Sequence, residues 1–400
     1  VDLRSGAAFW PIRNGLLSVH PAIDREERAD VVIVGGGVTG ALVAQRLLEA
    51  GADVIVIDRR DVVSGSTAAT TGLLQYETDT SLTELAGSVG EANAVRAYRL
   101  GLDAIDHIEA IVRSIGHDCG FERRPSLYLA STRRDAKSLA SEYQLRARHG
   151  FDVAWLPRDD VARRFSIDAP AAILSGGDAQ IDAHRFTHAV LTRARAAGAR
   201  VYDRTAAASV EADDVGVTVV TDRGPRIRAR HVVWAAGYEA VEETQRRVGR
   251  LHSTWACVSE PLADLGPWRD RQLIWETARP YLYARVTDDR RVLVGGEDEP
   301  FKSRHGNPRR LARKTRRLVE RLRDWFPTLE VEVAYSWAGV FATTRDGLPY
   351  IGTTPEHPRA WLALGYGGNG ITFSMIAANL IRDAWIGRPN PDAAIFAFDR

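Results

Sequence analysis

Gly35, Gly37 and Gly40 fit the spacing G-x-G-x-x-G, and each position has a mechanical reason to lack a side chain. The first permits a tight turn, the second lets a diphosphate approach the backbone, and the third lets a helix pack closely on a strand. Val38 and Thr39 then open the helix, whose free N–H groups and dipole favour negative charge. Asp58 follows about 20 residues on, where an acid that holds a ribose belongs, with Arg59 beside it. Turn, helix and acid occur in the right order, so the stretch reads as a dinucleotide site. The acid would repel a 2'-phosphate, which makes NADP the least suitable occupant.

Other stretches offer further polar contacts to a long ligand. Residues 64–72 are nine small residues with five hydroxyls, among them Ser66, Thr67 and Thr71, and they end at Gly72. Small side chains permit close approach of the backbone, and hydroxyls donate to phosphate or ring oxygens. Near the other end of the chain, residues 365–370 read GYGGNG and lead through Gly368, Asn369, Gly370 and Ile371 into the last helix. A long cofactor with two polar ends can use both glycine-rich helix starts. Residues 281–287 and 292–297 form a predicted hairpin across residues 288–291. Strand alternation then puts Tyr281, Tyr283 and Arg285 on one face, and the glycine pair 295–296 in the partner strand signals a bulge or a close approach.

The elements that must position these groups follow from periodicity. Residues 31–34 and 54–57 are apolar runs of the kind that make strands buried on both faces, and Ala41, Ala44 and Leu48 keep a helical stripe between them. Residues 91–115 are a predicted core helix, 126–130 a strand and 134–149 a polar helix. Residues 207–211 and 215–221 alternate as strands about a turn at 222–224, and 231–237 form a buried strand that ends in the small residues Ala235, Ala236 and Gly237. Residues 1–24 are an N-terminal extension in which Phe9 and Trp10 are expected to cover a surface groove. Residues 309–326 make an amphipathic helix with eight basic residues on its polar face, read either as a solvated face or as a docking face for an acidic partner.

Composition excludes several classes of function. Four hundred residues with 45% hydrophobic and 26% charged side chains describe an ordinary globular chain large enough for two domains. A formal net charge of +1 gives no global field for nucleic acid or an anionic membrane. The two cysteines, Cys119 and Cys257, lie outside any C-x-x-C, which excludes a disulfide scaffold and fits a reducing, cytoplasmic compartment. His184 and His188 share a helix face behind the predicted N-cap Asp182, but without a third ligand or H-E-x-x-H context we assign no metal. The glycines at 365–370 interrupt the most apolar stretch, so no transmembrane segment is expected.

The fingerprint, the hydroxyl stretch, residues 233–237 and the terminal glycine turn together resemble the D-amino-acid oxidase superfamily of FAD-dependent oxidoreductases, over nearly the whole chain. The FW pair near the N-terminus, Asp346-Gly347-Leu348-Pro349 and the glycine turn resemble the γ-glutamylputrescine oxidase-like branch. The resemblance implies an α/β fold in which a Rossmann-type FAD-binding domain is intertwined with an α+β substrate domain built on a large, mainly antiparallel sheet. The expected division is 25–115, 178–248 and 340–400 for the FAD-binding domain, with 116–177 and 249–339 for the substrate domain. It also implies that Gly35, Gly37 and Gly40 hold the pyrophosphate, Asp58 the ribose and Ala207 the adenine. Ser66, Thr67, Thr71, Gly72, Ala236, Gly237 and Gly339 would line the dinucleotide, and Gly368, Asn369, Gly370 and Ile371 would meet the flavin.

Four departures from that family pattern carry meaning. Asp58 stands where glutamate is commoner. No cysteine lies at 339–341, where sarcosine oxidases attach their flavin, so FAD is expected to bind noncovalently. Gln75 replaces the carboxylate-binding arginine, with Glu77 and Asp79 next. The oxygen-activating lysine is missing from a chain with only three lysines, which leaves the electron acceptor open among oxygen, a quinone and an electron-transfer protein. The reading is therefore an FAD-dependent oxidoreductase that removes hydride from carbon beside the nitrogen of an amine or amino-acid-like small molecule. Its rivals are a dehydrogenase of hydroxy acids or polyols on the same fold, and a flavin-bearing partner subunit without its own turnover. The substrate pocket is expected between the flavin and the Tyr281, Tyr283 and Arg285 face, with Arg285 anchoring an anionic group, the tyrosines positioning the amine, and Gln75, Trp337 and Phe341 as the next candidates.

Overall fold

The computed structural model describes residues 4–238, 249–302 and 307–400. Residues 239–248, which the sequence reading gave to the FAD-binding part, and residues 1–3 of the extension lie outside it. Two large sheets dominate the fold. The first has six strands: Arg200–Tyr202, Val54–Ile57, Val31–Val34, His231–Trp234 and His357–Leu364 run parallel, and Tyr350–Thr354 closes the edge antiparallel. Its strands are buried on both faces, which is why they read as continuous apolar runs. Val31, Ile33, Val54 and Val56 face a core shared with the helices Val38–Glu49, Glu91–Ile115, Ala183–Ala196 and Gly370–Trp385. Val32, Val34, Ile55 and Ile57 face the other way, onto Val217, Val219 and Ile227 of a smaller four-stranded sheet.

The second sheet has nine strands and is antiparallel except where Leu273–Glu276 runs beside Ser126–Leu129. One face carries Trp255, Cys257, Leu282, Ala284 and Val294, packed under Leu318, Leu322 and Trp325 of the helix Pro308–Trp325. The other face carries Thr254, Tyr283 and Gly339 and turns toward the six-stranded sheet across a common cavity. The fold class read from the resemblance, a parallel nucleotide-binding sheet beside a large mainly antiparallel one, is what the structure has.

Two expectations need correction. Phe9 and Trp10 do not cover a surface groove: they are 2% and 1% exposed in a core with Ala256, Val258, Leu293 and Trp337. The extension also adds a strand, Arg4–Gly6, to the edge of the large sheet. The strand Val333–Thr343 spans the proposed domain line between residues 339 and 340. The polar face of Pro308–Trp325 is only partly solvated. Lys314 and Arg321 pair with Glu297 at 3.2 and 2.8 Å, Arg317 pairs with it at 3.3 Å, and Arg310 pairs with Glu299. The sheet acids stand under the helix, so half of its cations are structural.

Candidate active site

The fingerprint turn is built as its spacing requires. Gly35 has φ +113°, and a Cβ there would lie 2.4 Å from the carbonyl oxygen of Ala235. A Cβ at Gly40 would lie 1.9 Å from the carbonyl oxygen of Gly35, so this glycine serves helix–strand contact. Gly37 meets only Thr67 Oγ1, at 3.0 Å, and its open side faces the cavity. Gly37 caps the helix Val38–Glu49 without a side-chain bond, which leaves N–H groups at the cavity wall. Asp58 accepts from the backbone N–H groups of Gly36 and Arg60, both at 2.8 Å. Burial raises its carboxyl pKa against those two bonds.

The second helix start reaches the same cavity from the opposite side. Asn369 caps Gly370–Trp385, again without a side-chain bond to the helix. Its side-chain amide donates instead to the carbonyl oxygens of Glu77 and Gln75, at 2.7 and 3.2 Å. Asp79 accepts from the N–H of Gly368 at 2.7 Å and from the Tyr281 hydroxyl at 3.1 Å. Segment 75–79 thus joins the glycine turn to the large sheet. It is itself held by a buried network: Tyr76 N–H donates to Asp178, and Arg146 binds Glu77 at 2.9 Å and Glu142 at 2.7 Å. Burial, with Glu77 beside it, holds the Asp178 carboxyl well above the usual range.

The third wall is aromatic. Tyr283 pairs across the sheet with Trp275 on one side and Gly295 on the other. A Cβ at Gly295 would lie 2.4 Å from the Tyr283 hydroxyl, so the glycine lets this ring lie flat over its neighbour. Gly296, at φ +134°, and a register shift opposite residues 253–255 supply the bulge that the sequence signalled. Trp275 stacks on Tyr128 with ring centroids 3.6 Å apart.

One cavity brings together most of the residues expected at the site. Gly35, Gly37, Val38, Thr39, Asp58, Arg59, Ser66, Thr67, Thr71, Gln75, Ala207, Ala236, Gly237, Tyr281, Tyr283, Gly339, Phe341, Gly368, Asn369, Gly370 and Ile371 all line it. Three expected residues, Gly40, Gly72 and Arg285, are not in its lining. Gly72 lies under Ile181, whose carbonyl oxygen would be 2.2 Å from a Cβ. Arg285 shares the tyrosine face but lies farther along it, donating to the Ile181 carbonyl oxygen at 3.1 Å with its guanidinium over the Trp10 ring. Its burial lowers the pKa to about 10. Trp337 is likewise turned away, with its indole N–H on the Ala69 carbonyl oxygen. Trp275, Thr254 and Tyr238 also line the cavity without being singled out in the sequence, and so does Asp79, which the sequence marked only as a neighbour of Gln75. Asp79 carried a signal, since it follows Gln75 in the segment where the family's arginine is missing. Trp275 carried none, because only strand register reveals it.

His184 and His188 share a helix face with ring centroids 4.6 Å apart. Ser18 Oγ bridges His20 and His188, and burial pushes His188 down to about 4. No cluster among the described residues has the ligands for a metal ion.

A model of the DAO family, FAD-dependent oxidoreductases, matches residues 30–384. The chain belongs to that family. Two helix N-termini facing one cavity, the first with its Val38 N–H on the Thr67 hydroxyl, and an oriented acid beside them fit the FAD that DAO-family members use. The chain is similar to glycine oxidase of Geobacillus kaustophilus (strain HTA426), with 29% identity over 367 residues, 89% of this chain and 92% of that one. It is also similar to gamma-glutamylputrescine oxidoreductase of Escherichia coli (strain K12), with 25% identity over 370 residues, 88% of this chain and 83% of that protein. The crystal structure of glycine oxidase from Geobacillus kaustophilus shares the fold, with a TM-score of 0.81 at 24% identity over 94% of this chain and 99% of that one. The protein is thus an FAD-dependent oxidoreductase. No helix among the described residues is long and apolar enough to cross a membrane.

Proposed function

We propose that this DAO-family protein oxidises a C–N bond of an amine or amino-acid-like small molecule, taking hydride from the carbon beside nitrogen to give an imine that hydrolyses. The observation that carries this reading is the single cavity running from the dinucleotide fingerprint to an aromatic face set against the terminal glycine turn. When bound, FAD supplies the hydride acceptor, N5. The chain's residues do the rest. The fingerprint helix start and the hydroxyls of Ser66, Thr67 and Thr71 hold the diphosphate, and Asp58 orients a ribose. The helix start at Gly370 favours negative charge at the other end. Tyr281 and Tyr283 wall the substrate end and, with Trp275, exclude water from it.

Both curated relatives named above carry a nitrogen compound in their names, which supports an amine substrate over a hydroxy acid. The partner-subunit alternative loses weight, because half of the basic helix is tied to acids of its own sheet. Neither cysteine nor histidine lines the cavity among the described residues, which supports noncovalent FAD. No lysine lines it either, and Lys314 is held by Glu297 and Glu299. The acceptor is therefore to be decided by comparing reoxidation by air, by a quinone and by an electron-transfer protein. Two free, buried cysteines with thiols raised to about 12 support a cytoplasmic location. The test of the reaction is anaerobic mixing of the holoenzyme with matched panels of amines, amino acids and hydroxy acids. Bleaching of the flavin by nitrogen compounds supports the proposal, and bleaching by hydroxy acids alone overturns it.

A further inference from the structure

The substrate end of the cavity has an unusual charge balance. Among the described lining residues the only basic side chains are Arg59 and Arg60, which flank Asp58 at the ribose end. The opposite end carries Asp79 with the rings of Trp275, Tyr281 and Tyr283. Among the described residues Asp79 is held by two neutral donors, the Gly368 N–H and the Tyr281 hydroxyl. Its place depends on a missing side chain, since a Cβ at Gly368 would lie 2.9 Å from Asp79 Oδ1. A second carboxylate, Asp298, is not in the cavity lining, but its charge reaches Tyr281 and Tyr283 from the bulged strand, and its Oδ1 is buried without a partner among the described residues. Burial pushes the Asp298 carboxyl up to about 7, and the Asp79 charge adds to the rise.

Among the described residues no cation forms an ion pair with either acid, although the charges of Arg279 and Lys314 favour the ionised form of Asp298. Arg279 is exposed outside the ring of Tyr281 and donates to the Asp79 backbone carbonyl, and Lys314 is committed to Glu297 and Glu299. Trp275 lines the same end, is 6% exposed, and its indole N–H has no acceptor among the described residues. The Gln75 side-chain amide nitrogen, also at this end, is likewise buried without a partner. Unpaired buried polar atoms are costly, and because both of these are donors they call for an acceptor on the bound cofactor or ligand, while a cation is left to the acid and the rings. Asp79 and three π faces attract a cation and repel a carboxylate, and the Asp298 charge adds to both effects from outside the lining.

We propose that the substrate is an amine with a second cationic nitrogen, bound by Asp79 within the Trp275, Tyr281 and Tyr283 rings, with the Asp298 charge supporting it from outside the lining, while the first nitrogen presents its carbon to the cofactor. This rests on the C–N reading above and narrows it to diamines and related amines without a carboxylate near the second charge. Two neutral donors on Asp79 leave lone pairs free for an ammonium, and a positive charge beside Asp79 offsets its repulsion of Asp298.

The test is the anaerobic reductive half-reaction of the holoenzyme by stopped flow, with a series of straight-chain diamines, monoamines and ω-amino acids of matched length. The apparent Kd is taken from the concentration dependence of flavin bleaching. A diamine should bind about 10-fold or more tightly than the matched monoamine, and the ω-amino acid less tightly than either. Asp79→Asn and Asp298→Asn should each narrow the diamine advantage severalfold, with FAD content measured in parallel because Asp79 also holds Gly368. If either variant loses FAD, the other variant and the wild-type series decide. Equal Kd values for monoamine and diamine, or tightest binding by the ω-amino acid, overturn the second-charge site while leaving C–N oxidation standing. An undiminished diamine advantage in both variants at full FAD content also overturns it. Bleaching by hydroxy acids and by no nitrogen compound overturns the C–N reading and this proposal together.

Discussion

At the scale of the residue, the site rests on a few positions where an absent side chain decides the chemistry. Gly37 is open toward the cavity, so a branched side chain there would occupy the place of the pyrophosphate. Gly37→Val should lose FAD while keeping its fold, as read by the visible flavin spectrum and by circular dichroism; stoichiometric FAD in that variant would make the turn merely structural. Gly368 is a second such position, and Gly368→Ala should displace Asp79 and shift the visible flavin band of the holoenzyme. An unchanged spectrum would mean that the turn does not touch the flavin. The glycines and Asp58 were legible in the sequence because their reasons are local. Trp275 was not, since its place at the cavity comes from lying opposite Tyr283 in a neighbouring strand. Arg285 was misplaced for a related reason: alternation assigns a face, but Ile181 and Trp10 from distant parts of the chain decide which part of that face is open.

At the scale of the element, segment 75–79 couples the glycine turn to the helix Arg133–Arg148 through a buried charge network. Arg146 is fully buried between Glu77 and Glu142. Arg146→Met would leave two buried carboxylates without their cation and should cost about 3–5 kcal/mol, measured by denaturant unfolding. A cost below about 1 kcal/mol would show that solvent reaches the network. The helix Ala183–Ala196 makes a pH-dependent contribution. An unfolded histidine titrates near 6.5, whereas burial holds His188 near 4. Between these values the unfolded chain binds the extra proton, so His188 costs stability progressively as pH falls from about 6.5 to 4, by about 3 kcal/mol in all. His188→Gln keeps a polar partner for Ser18 and removes the titration, so the variant should gain on wild type by that amount over the same window. Parallel unfolding curves at each pH would refute the assignment. Strand and helix extents were largely readable from periodicity, while the N-terminal strand Arg4–Gly6 was not, because a three-residue edge strand has too short a pattern.

At the scale of the whole molecule, two sheets from interleaved stretches of the chain close one cavity, and neither alone supplies both a nucleotide cradle and an aromatic wall. The resemblance to the DAO family made this architecture legible before any coordinate, whereas the acid-rich character of the substrate end needed the fold. Acid precipitation should release FAD into the supernatant, because no cysteine or histidine lines the cavity among the described residues; flavin retained in the pellet would contradict noncovalent binding. The most direct test of the central claim is a stoichiometric one: anaerobic mixing of the holoenzyme with a primary amine and, separately, with the alcohol of the same carbon skeleton. The account predicts that the amine bleaches the flavin and yields one ammonia and one carbonyl product per flavin while the alcohol does neither. Bleaching by the alcohol alone, or bleaching by the amine without ammonia release, would contradict it.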